Sequence, residues 1–321
     1  MLVSSYNPLL VLLSLFVAIL ASYTALDMAG RVVTAQGRAA FWWLIGGASA
    51  MGLGIWSMHF VGMLAISLPI PLGYDVSITL GSLAIAIASS AFALWLVSRR
   101  ELPWPRLVGG ALLMGSGVAG MHYAGMAALR MTPGIQYDPA IFGLSVGVAV
   151  LASGVALWIA FRLRRQSQRV RALRAGSAVV MGVAIVGMHY TGMAAAAFPF
   201  GSVCGAAHTG ASAEWLALVI IIVTLAVLAI ALIISVLDLR MEARTAVLAH
   251  SLAEANQELA YLALHDNLTK LSNRLLLEDR LNQAIRTADR EKRHFALMFM
   301  DLDGFKAIND VYGHHVGDLL L

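Results

Sequence analysis

Seven long apolar stretches occupy the first 237 residues and constrain the fold more than any other feature. About twenty consecutive apolar residues cross the hydrocarbon core of a bilayer as one α-helix, and each stretch reaches roughly that length. The stretches are residues 8–26, 41–68, 77–97, 107–129, 140–161, 176–198 and 215–237. Only 12% of the 321 residues are charged, about half the share in a soluble domain. The sequence therefore predicts an all-α bundle of seven transmembrane helices, with the lipid bilayer as its solvent.

Arginine alternates between the loops, and this alternation predicts the orientation of the bundle. Lys and Arg accumulate in cytoplasmic loops. The loops after the first, third and fifth stretches hold eleven arginines, whereas the other three loops hold Arg130 alone. The eleven are Arg31, Arg38, Arg99, Arg100, Arg106, Arg162, Arg164, Arg165, Arg169, Arg171 and Arg174. We therefore expect the N-terminus outside and the C-terminus in the cytoplasm. The net charge of +4 reflects this topology and not nucleic-acid binding.

Three segments of the apolar region align with one another. Residues 46–63, 109–126 and 176–193 each begin with glycine and end in Met-His followed by an aromatic residue, one further residue, Gly and Met. Their offsets match the length of one helix pair, so we interpret the membrane part as three two-helix repeats plus a seventh helix. Internal symmetry of this kind commonly places a binding site where the repeats meet.

Each repeat places one histidine at the same depth, at His59, His122 and His189. Three ionisable side chains at one level of a bilayer are costly unless they face each other, water or a metal. Methionines at four positions after and eight before each histidine fall near the same helix face: Met63, Met126, Met193, Met51, Met114 and Met181. Imidazole and thioether ligands suit Cu(I). The alternative is histidines bonded to the backbone and methionines that fill gaps.

Glycines three positions after each histidine are a further repeated feature. They are Gly62, Gly125 and Gly192. Small residues in membrane bundles allow helix backbones to approach closely. We therefore expect these glycines to lie at helix–helix contacts.

The repeated motifs resemble the signature of the bacterial MHYT sensor domain. Two copies read Met121-His122-Tyr123-Ala124 and Met188-His189-Tyr190-Thr191, and Met58-His59-Phe60-Val61 is a degenerate first copy. The resemblance covers about residues 1–237. It implies a multi-pass protein of the bacterial inner membrane, with a periplasmic N-terminus. It also implies that copper bound by these His and Met residues senses dioxygen, carbon monoxide or nitric oxide.

A change in composition near residue 238 marks the end of the membrane part. We place the sensor domain at 1–238, a helical linker at 239–263 and a soluble domain at 264–321. The linker has apolar or small residues at alternating spacings of four and three: Met241, Thr245, Leu248, Leu252, Ala255, Leu259 and Leu262. This spacing predicts a short coiled coil, and hence a homodimer, or an amphipathic helix leaning on its neighbour.

The soluble segment contains one pattern that is typical of a nucleotide site. Residues 295–300 are apolar and predict a buried strand, which ends at Asp301 and Asp303 with Lys306 close by. Carboxylates at a strand end suit Mg²⁺ and a triphosphate. The alternative is a plain strand followed by an Asp-Gly turn.

The same segment resembles the first half of a GGDEF domain, the α/β diguanylate cyclase fold. The matching residues include His265-Asp266-Asn267-Leu268-Thr269 and the run from Asp301 to Asp310. The resemblance implies that Asp301 and the carbonyl of Leu302 hold Mg²⁺. It further implies that Lys306 contacts the phosphate of GTP and that Asn309 and Asp318 bind the guanine edge.

The sequence ends at Leu321, before the signature that names this domain. We therefore expect residues 264–321 alone to be inactive. The resemblance implies a parent protein that makes cyclic-di-GMP, with an EAL domain that degrades it as a further expectation. A membrane sensor that controls cyclic-di-GMP turnover is the predicted function. The alternatives are a copper or proton conductor with a regulatory tail, and a haem-based sensor.

Overall fold

The computed structural model describes residues 1–164 and 168–321. Arg165, one of the eleven arginines behind the predicted orientation, lies outside the described residues, as do the side chains of Arg169 and Arg171. The described chain divides into two compact units, Met1–Ile234 and Ser235–Leu321.

Seven helices account for most of the membrane part. They are α1 (Pro8–Thr34), α2 (Gly37–Ala65), α3 (Val76–Val97), α4 (Trp104–Ala127), α5 (Pro139–Arg162), α6 (Gln168–Ala195) and α7 (Ala213–Leu264). The first six are long and apolar enough to cross a membrane. The seventh predicted stretch opens α7, whose described apolar portion is Ala213–Val227. The predicted all-α membrane bundle is confirmed.

The first six helices form a closed ring. Each helix packs against the next one in the chain, and α6 packs back against α1. Three glycines on the even-numbered helices make this packing close, because a Cβ on any of them would collide with the backbone of the neighbouring helix. The contacts pair Gly52 with Ile87, Gly115 with Val150 and Gly182 with Ile19. These glycines lie seven residues before each histidine, so they repeat with the motif.

One end of the ring, here called the strand end, carries short strands over the helix termini. There α1, α3 and α5 begin and α2, α4 and α6 end. The N-caps of the three odd helices are Asn7, Asp75 and Asp138. Each N-cap residue donates its backbone N–H to the carbonyl of the last or next residue of the following helix, at 2.8–2.9 Å. Each odd helix is thereby joined to the even helix that follows it, in the same way three times.

Eight two-residue strands complete the strand end. They are β1 (Ser5–Tyr6), β2 (Ile66–Ser67), β3 (Gly73–Tyr74), β4 (Met131–Thr132), β5 (Gln136–Tyr137), β6 (Ala196–Ala197), β7 (Val203–Cys204) and β8 (Ala211–Ser212). The antiparallel pairs are β1–β2, β3–β8, β4–β7 and β5–β6. Three of these pairs therefore involve the segment between α6 and α7. Cys204 is buried there and lies within hydrogen-bonding distance of the Leu129 carbonyl, at 2.9 Å.

The opposite end, here called the arginine end, contains a buried ion network. Asp27 on α1 pairs with Arg31 at 2.8 Å and with Arg174 of α6 at 3.2 Å. Arg174 is only 2% exposed and also donates to the carbonyl of Leu163 at the end of α5. Asp27 and Arg31 lie in the last turns of α1, which continues to Thr34, past the end of the apolar stretch at residue 26.

The second unit contains the rest of α7 and three further helices, α8 (Arg274–Glu291), α9 (Phe305–Tyr312) and α10 (His314–Leu320). Asp266 closes the turn between α7 and α8, because its carboxylate accepts the backbone N–H groups of Leu268 and Thr269 at 3.1 and 2.9 Å. These bonds, the one to Thr269 above all, hold the pKa of Asp266 below its usual range.

The strand predicted at residues 295–300 is wrong for this structure. The segment has no regular secondary structure, and Met298, Phe299 and Met300 are 81–90% exposed. A strand needs a neighbour to pair its backbone N–H and C=O groups, and the segment has none among the described residues. Local sequence preference alone does not create the strand.

Candidate metal centre

Three imidazole groups meet on the axis of the ring formed by helices α1 to α6. His59, His122 and His189 are each 0% exposed. Their Nδ1 atoms form a nearly equilateral triangle with sides of 3.1, 3.2 and 3.2 Å. The ring centroids are 4.9–5.0 Å apart, and the rings meet edge to face. The repeat predicts that the three histidines share one level, and the structure brings them into direct contact.

Hydrogen bonds between the three Nδ1 atoms cannot satisfy all three sides of this triangle. Each Nδ1 atom either carries a hydrogen or offers a lone pair, and a hydrogen bond needs one of each. Around a triangle of three nitrogens, at least one side must therefore join two lone pairs or two hydrogens. A cation at the centre would accept all three lone pairs at once. Dividing the mean separation by √3 places the centre about 1.8 Å from each nitrogen, close to the roughly 2.0–2.1 Å of a metal–imidazole bond.

The other nitrogen of each ring contacts the next repeat. A Cβ added at Gly125 would overlap Nε2 of His59, one at Gly192 would overlap Nε2 of His122, and one at Gly62 would overlap Nε2 of His189. The contacts are cyclic, so every histidine bridges to a different even helix. These glycines do lie at contacts between helices, as expected, but each faces the imidazole ring of another helix and not its backbone. The glycines seven residues before each histidine are the ones that lie against helix backbone.

The three Nε2 atoms are buried, and those of His59 and His122 have no hydrogen-bond partner among the described residues, whereas the Gly62 backbone lies within hydrogen-bonding reach of His189. With the Nδ1 atoms directed to the centre, each neutral ring carries its hydrogen on Nε2, facing the glycine of the next helix. A histidine that binds a metal through one nitrogen commonly donates its other N–H to a carboxylate, a backbone carbonyl or a water. Among the described residues such a partner is found only for His189, so the fit to a cation rests on the Nδ1 triangle.

Aromatic side chains cover the histidines on the strand side. Each histidine contacts the aromatic residue that follows it, with ring centroids 4.7–4.8 Å apart. Three tyrosines that directly precede the N-caps form the next layer. The pairs are Tyr6 with Tyr190, Tyr74 with Phe60 and Tyr137 with Tyr123, at 5.3–5.8 Å. The site is therefore closed on this side by two layers of rings.

The motif tyrosines are fixed by serines that sequence reasoning missed. Tyr123 hydrogen-bonds to Ser145 at 2.5 Å, and Tyr190 to Ser14 at 3.3 Å. Each serine lies seven residues after the N-cap of its odd helix, and Ser82 occupies the equivalent place on α3. Because these serines share one offset from their N-caps, the repeat could have identified them.

The degenerate first copy of the motif has a compensating contact. Phe60 lacks the hydroxyl that would reach Ser82. The indole Nε1 of Trp56, one turn earlier on α2, donates to Ser82 instead at 3.1 Å. Ala119 and Val186 stand at the positions equivalent to Trp56, so the large side chain occurs only where the hydroxyl is missing. The departure at Phe60 therefore leaves the attachment of α2 to α3 intact.

The predicted methionine ligands divide into two groups. Met63, Met126 and Met193 are buried one turn beyond the histidines, toward the strand end, at 0%, 0% and 3% exposure. Met51, Met114 and Met181 lie eight residues before the histidines, and at 1.5 Å per residue that is about 12 Å along the helix. The latter three line a cavity.

The predicted Mg²⁺ and GTP residues are mostly exposed in the second unit. They are Asp301, Leu302, Lys306, Asn309 and Asp318. Asn309 is the exception, because its side-chain Oδ1 is buried and a Cβ on Gly317 would overlap it. This contact packs α9 against α10. Within the part of the chain that the structure describes, the three histidines are the only group of metal-binding side chains found.

Comparisons with known proteins match both units. The family model described as "Bacterial signalling protein N terminal repeat" (MHYT) matches residues 52–110, 115–173 and 182–246. The model "Diguanylate cyclase, GGDEF domain" matches residues 263–321. The family repeat starts within α2, α4 and α6, which contain the histidines. In the structure α3 packs on α2 and α5 packs on α4, and α1 packs on α6 in the equivalent way.

Curated relatives match the whole chain or its membrane part. The "Bifunctional diguanylate cyclase/cyclic di-GMP phosphodiesterase MucR" of Pseudomonas aeruginosa is 71% identical over 321 residues, which are 100% of this chain and 47% of that protein. The "Cyclic di-GMP phosphodiesterase NbdA" of the same organism is 37% identical over 328 residues, covering 99% of this chain and 41% of that protein.

A third relative, the "Signaling protein YkoW" of Bacillus subtilis, is 40% identical over 196 residues, covering 60% of this chain and 24% of that protein. The chain thus spans less than half the length of these relatives. No solved structure matches it. The three matched repeats, each with its buried histidine, and the domain that follows them show that this chain belongs to the MHYT family of bacterial membrane signalling proteins, with the start of a GGDEF domain after its sensor.

Proposed function

We propose that the three histidines hold one copper ion, and that binding of a diatomic gas or a redox change at this ion controls cyclic-di-GMP turnover by the cytoplasmic part of the protein. The carrying observation is the Nδ1 triangle, which protons cannot satisfy and a central cation can. Copper, when bound, supplies a centre that changes oxidation state and takes small ligands. Cu(I) suits imidazole and thioether surroundings.

The chain's own residues position and isolate the site. The glycine contacts fix each ring so that Nδ1 points to the axis, and the layers of aromatic rings exclude water from the strand side. The ligand set is His59, His122 and His189, with the thioethers of Met63, Met126 and Met193 buried one turn beyond them. Met51, Met114 and Met181 are about 12 Å from the histidine level, which a methionine side chain cannot span.

The proposed location is the bacterial inner membrane, with the strand end in the periplasm and the arginine end in the cytoplasm. The asymmetric distribution of arginine supports this orientation. The N-terminus is then periplasmic, and α7 carries the chain into the cytoplasm. The metal site lies nearer the periplasmic face, where a gas or a metal ion arrives from outside.

Signal output requires the cytoplasmic part to pair with a second copy. Cyclic-di-GMP is a symmetric dimer of GMP, so two cyclase domains must each present one GTP to the other. On α7, Met241, Leu248, Leu252 and Leu259 are 63–69% exposed. Their heptad spacing supports a coiled-coil homodimer. Replacing Leu252 and Leu259 by serine is expected to abolish ligand-dependent cyclase activity while copper content stays at the parental level.

The nucleotide chemistry belongs to the whole protein. By the GGDEF match, Asp301 and the Leu302 carbonyl would bind Mg²⁺, Lys306 would contact phosphate, and Asn309 and Asp318 would bind guanine. The name of the relative from Pseudomonas aeruginosa includes both synthesis and degradation of cyclic-di-GMP, and we propose both activities for the full-length protein.

The two rival functions fit the site less well. A haem between two histidines needs its flat macrocycle to separate the two ring nitrogens, but the rings here are in mutual contact. A proton conductor needs a chain of polar groups through the bundle. Below the histidines the axis is lined by methionine and hydrocarbon side chains, with few hydroxyls.

Metal content of the purified protein tests the proposal. We expect about one copper per chain in the parent and in a His208→Ala control, whose histidine is exposed in the loop after β7. The variant with alanine at all three buried histidines should contain none, while gel filtration shows that it remains folded. Equal metal content in the triple variant and the parent, or a folded parent that takes up no copper when reconstituted, would refute the copper site.

A further inference from the structure

A cavity of about 40 Å³ lies on the axis of the bundle, on the arginine side of the histidines. Its wall includes the two side-chain layers beneath them. The nearer layer is four residues before each histidine, and the farther one is eight residues before. The two layers consist of Ile55, Val118, Ile185, Met51, Met114 and Met181. Met188, which directly precedes His189, also lines the cavity, whereas none of the three histidines does.

The wall of the cavity is almost entirely apolar. Small residues of α1 and α5 complete it, among them Ala21, Ala152 and Ala156. The polar lining residues are Ser22 and Ser153. Ser22 is 2% exposed, and its Oγ has no hydrogen-bond partner among the described residues. A buried hydroxyl without a partner is costly, so the wall presents one unsatisfied polar group to whatever occupies the space.

Size and polarity together select the class of occupant. A single water needs about 10–15 Å³ of this kind of volume and two to four polar partners. The cavity exceeds the first requirement by about threefold, but two hydroxyls are too few for a stable cluster of waters. Apolar cavities in proteins stay dry and bind apolar guests such as xenon. Soft thioether sulfurs also favour a polarisable guest through dispersion.

We infer that this cavity is a second ligand site, which binds a small uncharged apolar molecule of diatomic or single-atom size, with Ser22 and Ser153 as its polar lining residues. The site is distinct from the metal centre, because none of the three histidines is among its lining residues. Its existence does not depend on copper. Only its link to sensing, as a place where a gas collects next to the metal, rests on the proposed function.

Xenon binding tests the inference directly. The probe is the ¹²⁹Xe chemical shift of the detergent-purified protein under increasing xenon pressure, with empty micelles as the background. We expect a saturable shift in the parent and in an Ala140→Leu control, which adds the same three carbons at an exposed position of α5. Ala152→Leu fills the cavity and should weaken xenon binding by about tenfold or more, since overpacked space excludes a guest.

Two further variants keep the test independent of folding and of the metal. Ala156→Leu fills the same cavity one turn away, so it replaces Ala152→Leu if that variant does not fold. The triple-alanine histidine variant should retain xenon binding, even if the protein holds no copper. Absence of a saturable shift in the parent would overturn the inference, as would equal xenon binding in the parent and in a folded cavity-filling variant.

Discussion

Gly125→Ala is expected to disrupt the histidine centre from the neighbouring helix. The added Cβ would overlap Nε2 of His59, against an ordinary contact distance of about 3.5–4.0 Å between heavy atoms. Because the ring is held between this glycine and the other two imidazoles, it can yield only by leaving the triangle. Forcing extra atoms into a packed core costs about 1–3 kcal/mol. The alanine itself favours the helix over glycine by about 0.8–1.0 kcal/mol.

Gly120 offers a matched control on the same helix, because a Cβ there meets no atom within 4 Å. Gly120→Ala should raise the unfolding free energy only by the helix propensity of alanine over glycine, about 0.8–1.0 kcal/mol. The difference in unfolding free energy between the two variants isolates the collision with His59 and should be about 1–3 kcal/mol. If the strain falls mainly on the metal-bound geometry, Cu(I) affinity drops by about tenfold to a hundredfold, since 1.4 kcal/mol is a factor of ten.

The assay is competition for Cu(I) with a coloured chelator, combined with thermal unfolding in detergent. We expect Gly120→Ala to match the parent in affinity and Gly125→Ala to fall below it in both measurements. Gly62→Ala and Gly192→Ala should behave like Gly125→Ala, because the contacts are cyclic. Parental Cu(I) affinity in Gly125→Ala, with unfolding at the temperature of the Gly120→Ala control, would show that the ring does not lie against this glycine.

Three further predictions concern the contacts around the site, each measured by thermal unfolding in detergent. Phe60→Tyr should destabilise the parent by about 1–3 kcal/mol, because Trp56 already hydrogen-bonds to Ser82 and leaves the new hydroxyl buried without a partner. In a Trp56→Ala background the loss of stability should be smaller. A double-mutant cycle that shows no coupling between the two substitutions would contradict this. Asp27→Asn should cost about 3–5 kcal/mol, since it leaves Arg174 buried without that carboxylate; stability equal to the parent would contradict the buried pair. The pKa of Asp75 is lowered by the Ile78 backbone N–H and then by Arg130, so the stability that the carboxylate contributes is present above the ordinary carboxyl pKa and is lost as the pH falls through the lowered pKa. Asp75→Asn keeps a capping oxygen, as Asn7 does, and should remove this acid-dependent loss of stability. A dependence of stability on pH that is the same in the variant and the parent would refute the assignment.

The sequence predicts the depth of the histidines but not the direction of their rings. Hydropathy and the repeat place His59, His122 and His189 at one level, because each lies at the same distance from a helix end. Which nitrogen points to the axis depends on the packing of each ring against the next repeat. That contact joins a histidine and a glycine 66, 70 or 127 positions apart (59 to 125, 122 to 192 and 62 to 189), so no local spacing reveals it. That Gly62 and its equivalents face imidazole rings and not helix backbones could not be predicted, for the same reason.

Other features could not be predicted because they depend on partners distant in the sequence. The short strands at the strand end pair segments such as β3 and β8, whose sequences carry no alternating pattern. The apolar run at 295–300 has the composition of a strand, but no neighbouring strand pairs with it among the described residues. Composition predicts an element well where the helix satisfies its own backbone, as in a bilayer, and poorly where another segment must do so.

The cyclic arrangement of the histidines explains how one ion could influence the whole bundle. Each imidazole faces the axis through Nδ1 and a different even helix through Nε2, so a change in the spacing of the triangle alters all three helix contacts together. The segment after α6 pairs with β3, β4 and β5 before α7 begins, and α7 leads toward the second unit. A ligand shifts this system only if it binds one spacing of the triangle more tightly than another. A variant that binds the ligand equally tightly at every spacing of the triangle should therefore not respond to it, whichever signalling state the variant occupies.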